Sequence, residues 1–359
     1  MSNNECNKSK KESVGGQALI EGIMMRGPKG AAISLRLPDG SIESTIKEVK
    51  MPKEKFKPFG WPLIRGPVNF IDALLFGYKC LMDSAEKTTL EHEDDTEKAS
   101  KVDKWIDDHF GPKMMTVIGI ISAVLGFAIA FGLFFWLPSF IFDAINNLSD
   151  GVITAFRTLF EGVIRIILFV SYMYIVSQMK DIKRVFMYHG AEHKSIFCYE
   201  NDEKLTVENV KKQSRFHPRC STSFIFVIIL LSIIISSVIA VAFPVLTEKR
   251  YIWMLVKLMI MPIIMGLGYE FIRYASKHDN AFVRFFAAPG LWMQRITTKE
   301  PTDDIIEVGI ASLKTALGII DEPVEDVIIV DDADEIEVVD STAQENNEIN
   351  EELNLNGNI

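Results

Sequence analysis

Two stretches of this chain run without charge for longer than a bilayer is thick. Residues 114–137, 24 positions, and residues 221–246, 26 positions, contain no Asp, Glu, Lys or Arg. Crossing the hydrocarbon core as a helix takes about 20 apolar residues, so each run predicts a transmembrane helix. Two further stretches predict spans interrupted by charge: residues 158–179, with Glu161 and Arg165, and residues 251–271, with Lys257 and Glu270. Apolar residues make up 48 % of the chain, and their bunching into these runs excludes an ordinary soluble protein. The amino-terminal segment is polar and has no apolar core, so no cleaved signal peptide is expected.

The net charge of −10 hides an asymmetry. Residues 321–359 hold 14 acidic side chains and no Lys or Arg, which leaves 34 acidic against 38 basic residues in the body. That stretch reads as a self-repelling, disordered acidic tail. Its apolar patch, Val327 to Val330, reads as a common feature of tails, with a docking strand as the rival reading. Basic residues in short loops set orientation. Residues 180–219, between the second and third spans, carry nine Lys and Arg, against one in 138–157 and two in 247–250. Both termini and the 180–219 loop are therefore expected on the cytoplasmic side. Cys6, Cys80, Cys198 and Cys220 lack the spacing of a disulfide framework and, facing a reducing compartment, are expected to be free thiols.

Along the chain, residues 1–13 form a lysine-rich flexible leader. Residues 14–49 read as β-rich, within a cytosolic unit that runs to residue 60. Runs 31–37 and 41–46 flank Pro38-Asp39-Gly40, a hairpin turn signal. Upstream, residues 15–28 mix β-formers with glycines; tight turns around a small sheet are the favoured reading, a ligand-binding loop the alternative. Within 61–110, residues 67–82 read as a helix lying at the membrane surface, and 86–108 as a charged linker in which His92 and His109 are surface histidines. The four-span membrane domain covers 111–298 and closes with an interfacial stretch, 282–296. Within 299–320, residues 304–317 predict an amphipathic helix capped by Thr302. The fold class is a polytopic α-helical membrane protein with about four transmembrane helices, a small amino-terminal β-rich cytosolic unit and amphipathic interfacial helices.

His189, Glu192 and His193 form an H-x-x-E-H signature directly after the second span. Positions i, i+3 and i+4 share one helix face, so two imidazoles and a carboxylate converge. In the inverted zincin arrangement two such histidines bind zinc and the Glu takes a proton from water. The topology adds His217 and Cys220 just before the third span and Glu270 near the end of the fourth, with His278 and Asp279 beyond it. A workable metal shell is His189 and His193 plus one of His217, Glu270 or Cys220, with Glu192 as general base. An intervening span rules out the fold of the soluble inverted zincins, so any likeness is convergence on ligand geometry.

Blander readings stand beside this one. Interfacial histidines bond headgroups or carbonyls without any metal, and His189, His193, His217 and Cys220 would also make a closed structural His3Cys site. Arg219 suits anchoring to lipid phosphate better than substrate binding. Arg157, Glu161 and Arg165 recur every four residues inside the second span; an ion-pair ladder that snorkels is the favoured reading, a lined pathway the rival. Lys257 is placed to snorkel outward.

Residues 15–28, Arg65-Gly66-Pro67, His189-Gly190-Ala191-Glu192-His193-Lys194, His217-Pro218-Arg219-Cys220-Ser221-Thr222-Ser223 and Pro289-Gly290-Leu291-Trp292-Met293-Gln294, the last running into Thr297-Thr298-Lys299-Glu300-Pro301, together resemble the bacterial YqhQ-like family. The resemblance covers about residues 14–318. It implies a multi-pass protein of the bacterial cytoplasmic membrane, predicted to be a metal-dependent enzyme, with His189, Glu192, His193, His217 and Cys220 in its polar core. It supplies no substrate. Ser221 stands where relatives are expected to carry Gly.

The leading expectation is a cytosol-facing divalent metal site, with zinc as the metal, performing hydrolysis at the membrane surface on an unknown protein or lipid substrate. Its partners are the lipid bilayer and that substrate, with no nucleic acid. The alternative is a non-enzymatic membrane scaffold or biogenesis factor whose polar core is structural. A transporter using Arg157, Glu161 and Arg165 is a third reading, disfavoured by four spans and the lack of an inverted repeat.

Overall fold

Short β-forming runs separated by Gly, Pro and Asp open the chain, and they fold as a sheet. The computed structural model describes residues 12, 14–89, 112–150, 152–218, 220–275, 278, 280–319 and 327–329. Expectations for the leader apart from residue 12, for Arg219 and Asp279, for the linker with His92 and His109, and for most of the acidic tail lie outside these residues. Strands β1 (Gly15–Leu19), β2 (Gly22–Gly27), β3 (Gly30–Arg36) and β4 (Ile42–Lys47) pair antiparallel in that order. Leu19 and Gly22 close a two-residue turn, in which Glu21 adopts φ 51°, the left-handed region favoured by hairpin turns of this length. In the β3–β4 loop Gly40 sits at φ 89°, and the Asp39 carboxylate accepts hydrogen bonds from the Ser41 N–H and hydroxyl.

A fifth strand, β5 (Val327–Ile329), adds in parallel to β4, with Ser44 opposite Val327 and Ile46 opposite Ile329. The patch read as an ordinary feature of a tail is therefore an edge strand. Its β-branched residues fit the unpaired N–H and C=O row that β4 would otherwise expose.

Strand alternation gives the sheet two apolar faces. Leu19, Met24, Ala31, Ile33 and Leu35 cluster with Cys80 of helix α1 (Arg65–Thr89). On the other face Ile23, Met25 and Ala32 join a core with Tyr188, Ala191 and Ile196 of one helix and Ile305, Ile306 and Leu313 of another. That last helix, expected to be amphipathic, packs its apolar side between the sheet and its neighbour, with Ile305, Ile306 and Leu313 fully buried. Thr302 occupies its N-cap position without a side-chain capping bond, and Gly318 ends it at φ 70°.

The apolar runs form long helices. Helix α2 (Pro112–Phe131) continues through a five-residue π segment, Gly132–Trp136, into α3 (Leu137–Leu148). The sequence reading ended this span at residue 137. The helix goes on past Asp143 because that carboxylate is paired with Arg157 at 3.2 Å. Helices α4 (Arg157–Val176), α5 (Lys180–Glu200), α6 (Val207–Lys212), α7 (Ser221–Ala242), α8 (Arg250–Ala275), α9 (Ala281–Thr297) and α10 (Asp303–Leu317) follow. Four helical stretches, Val124–Leu148, Arg157–Val176, Phe224–Ala242 and Tyr251–Ala275, are long and apolar enough to cross a membrane. Helix α1 crosses α8 closely, since a Cβ on Gly66 would lie 2.7 Å from the Gly266 Cα. Its other side exposes Ile71, Leu74, Leu75, Tyr78 and Met82, an apolar stripe at helical spacing.

Candidate metal centre

Helix α5 carries His189, Glu192 and His193 on one face, as their spacing requires. Gly190 lets the helix approach the 297–301 segment, because a Cβ there would fall 2.1 Å from the Lys299 carbonyl oxygen. The Lys299 N–H in turn donates to the Phe186 carbonyl. Cys220 enters from the N-cap position of α7.

One ligand atom from each of His189, His193 and Cys220 lies within 4.8 Å of the others. His189 Nε2 is 3.2 Å from Cys220 Sγ, and the two imidazole centroids are 4.4 Å apart. The other ring nitrogens are tied to backbone: His189 Nδ1 lies 2.9 Å from the Thr297 carbonyl oxygen, and His193 Nδ1 2.5 Å from that of Arg215. A carbonyl only accepts, so each Nδ1 holds its proton and each Nε2 keeps a lone pair. Metal-binding histidines are oriented in this way. Burial pushes His193 below the ordinary imidazole value, opposed by its bond to Cys220, which favours the neutral form that ligates. Two imidazoles and a thiolate fit zinc, and three protein ligands leave one position of a tetrahedron open.

Glu192 is buried beside this group. Burial raises its pKa above the usual carboxylate range, against the attraction of His189 and His217 and a hydrogen bond from the Gly16 N–H. His217 is also buried, its ring centroid 5.6 Å from that of His193, and its pKa is lowered by burial. Gln294 of α9 holds the His217 backbone from both sides: the His217 N–H donates to Gln294 Oε1, and Gln294 Nε2 donates to the His217 carbonyl, both at 2.8 Å.

The structure does not bring Glu270 to this cluster. Its carboxylate takes a bidentate pair of bonds from Arg65, at 2.6 and 2.5 Å, binding α8 to α1. His278 is exposed and stacks on Tyr274 at 4.1 Å. Sequence reasoning missed Gln294, Gly16 and the carbonyls of Thr297 and Arg215. Only Gln294, a neutral polar side chain in an apolar helix, left a visible signal.

The charges inside the membrane-length helices face inward. Glu161, 1 % exposed, accepts from Ser139 at 2.9 Å and Arg157 at 3.0 Å and pairs with Lys257. Lys257, expected to snorkel outward, is buried against Glu161, since a charge there is costly unless paired.

A helical protein with four membrane-length helices, an amino-terminal sheet and a His–His–Cys cluster, half-buried at His189 and buried at His193 and Cys220, is the class that fold and site define. The chain belongs to the family described as "Protein of unknown function (DUF1385)", whose model matches residues 61–319. "Uncharacterized protein YqhQ" of Bacillus subtilis (strain 168) is 33 % identical over 316 residues, covering 84 % of this chain and 92 % of that protein. The resemblance read from the motifs is thereby shown. No solved structure matches the chain.

Proposed function

We propose that this chain is an integral membrane protein of the cytoplasmic membrane with a divalent metal, zinc by donor set, held by His189, His193 and Cys220, and that it carries out hydrolysis at the cytoplasmic surface. The observation that carries the reading is the convergence of three donors whose imidazoles have their Nδ1 atoms fixed by backbone carbonyls. When bound, the metal supplies Lewis acidity. The chain's own part is to keep both Nε2 atoms unprotonated, to exclude bulk water by burial, and to hold a proton acceptor, Glu192, whose raised pKa suits a general base. The nine basic residues of the 180–219 loop support the cytoplasmic orientation. Metal analysis of the purified protein by mass spectrometry tests it. One metal per chain is expected, lost in His189→Ala, His193→Ala and Cys220→Ser; a folded wild-type protein without stoichiometric metal overturns it.

A second reading, a non-enzymatic scaffold, is favoured by one observation. The Glu192 carboxyl receives the Gly16 N–H and so ties the sheet to α5, a bracing role that needs no chemistry.

A further inference from the structure

A cavity of about 310 Å³ lies among α4, α7, α8 and the π segment, away from the metal centre. Its walls include Phe134 and Phe135 of the π segment, Phe169 of α4, Ile228 of α7 and Met261 of α8. Ile225, Ile228, Ile229, Ser232 and Ser236 line it along one face of α7. The eleven helical rises from Ile225 to Ser236 make that wall about 16 Å long. The space is mostly apolar, and its cationic lining residues are Arg165 and Lys257.

Lys257 is committed to Glu161. Arg165 is not matched in this way. Its Nε donates to the Phe134 carbonyl at 2.9 Å, its guanidinium stands 5.4 Å from the Phe135 ring centroid, and its Nη2 is buried without a hydrogen-bond partner. Across the cluster of Arg157, Arg165 and Lys257 with Asp143 and Glu161, positive charges outnumber negative ones by one. An unmatched positive charge between apolar helices is costly without a counter-anion. The π segment makes this arrangement: a rare element concentrated at functional sites, it offers a carbonyl to Arg165 and turns two phenylalanines into the space.

We propose that this cavity binds a single-chain anionic lipid, a long-chain fatty acid, with its hydrocarbon chain among the phenylalanines and its carboxylate on Arg165. A carboxylate matches the guanidinium in charge and in paired donor geometry. The chain then runs along α7 toward Ile225, the end of the helix nearer Cys220. The proposal rests on the membrane-spanning reading of the four helices and is independent of the metal.

The test uses the full-length protein in phosphatidylcholine vesicles with a trace of fatty acid carrying a photoreactive diazirine in its tail. After irradiation, label is expected on peptides containing Phe134, Phe169 and Met261, competed away by unlabelled fatty acid. Arg165→Gln is expected to lower it about tenfold, the equivalent of one charge-assisted hydrogen bond. Ser232→Phe, which fills the space but keeps the guanidinium, is expected to lower it similarly, so a folding failure of the first variant leaves the proposal exposed to refutation. Label spread evenly over the helix surfaces, unchanged by either variant, overturns it. Equal cavity labelling by a diazirine phosphatidylcholine also overturns it. Alkaline extraction tests the spanning reading separately: a spanning protein stays with the membrane.

Discussion

Gly16 of β1 lies directly against the carboxyl of Glu192, so closely that a Cβ at position 16 would stand 3.2 Å from the Glu192 Cδ and Oε1. The same Cβ would meet the Met24 carbonyl oxygen at 2.5 Å. Gly16→Ala is therefore expected to destabilise the protein by about 1–3 kcal/mol through overpacking, read as a lower unfolding temperature in detergent. An unchanged midpoint would show that the sheet does not hold this position against α5.

Glu192→Gln separates the two functional readings. The amide keeps the volume and still accepts from the Gly16 N–H, so metal content is expected to stay at the wild-type level while hydrolysis-dependent function is lost. The scaffold reading expects function to survive. The stability effect has a definite sign. The folded-state pKa of Glu192 is raised, so its contribution is fully present below the ordinary carboxylate value and is lost as the pH rises through the folded one. Unfolding of the metal-free protein measured against pH is expected to lose that alkaline decline in the variant.

His193 works in the opposite direction. Its folded-state pKa is lowered by burial, so its contribution is present above the ordinary imidazole value of about 6.5 and is lost as the pH falls toward the folded one. The metal-free protein is expected to weaken on acidification over that window. His193→Gln is expected to flatten the slope there, as followed by chemical denaturation at several pH values.

The Glu161–Lys257 pair gives a fourth test. Lys257→Met leaves a buried carboxylate without its main partner and is expected to cost about 3–5 kcal/mol. Adding Glu161→Gln is expected to recover much of that loss, since the orphaned charge is gone. Additive losses in the double variant would mean that the two groups do not act as a pair.

Much of this architecture was legible because it rests on periodicity. Two uncharged runs of bilayer length and two apolar runs interrupted by charge announced four helices, and H-x-x-E-H announced a shared face on α5. What stayed hidden depends on which surfaces meet. Glu270 was placed by its depth in the fourth span, whereas its partner is Arg65, 205 positions away, and nothing local couples the two. Gly16 read as a turn glycine, although its small size serves a contact with another element. Gln294 has no ligand chemistry to attract notice, yet it fixes the backbone of His217. The π segment also lacks a sequence mark, since five apolar residues in a long apolar helix look alike whether or not the backbone widens.

The parallel pairing of β5 with β4 has a consequence for biosynthesis. Residues 327–329 follow all four membrane-length helices in the chain, so a ribosome makes them after the last of those helices. Until then β4 lacks β5 on every nascent copy, and the sheet begun before those helices is completed only after them.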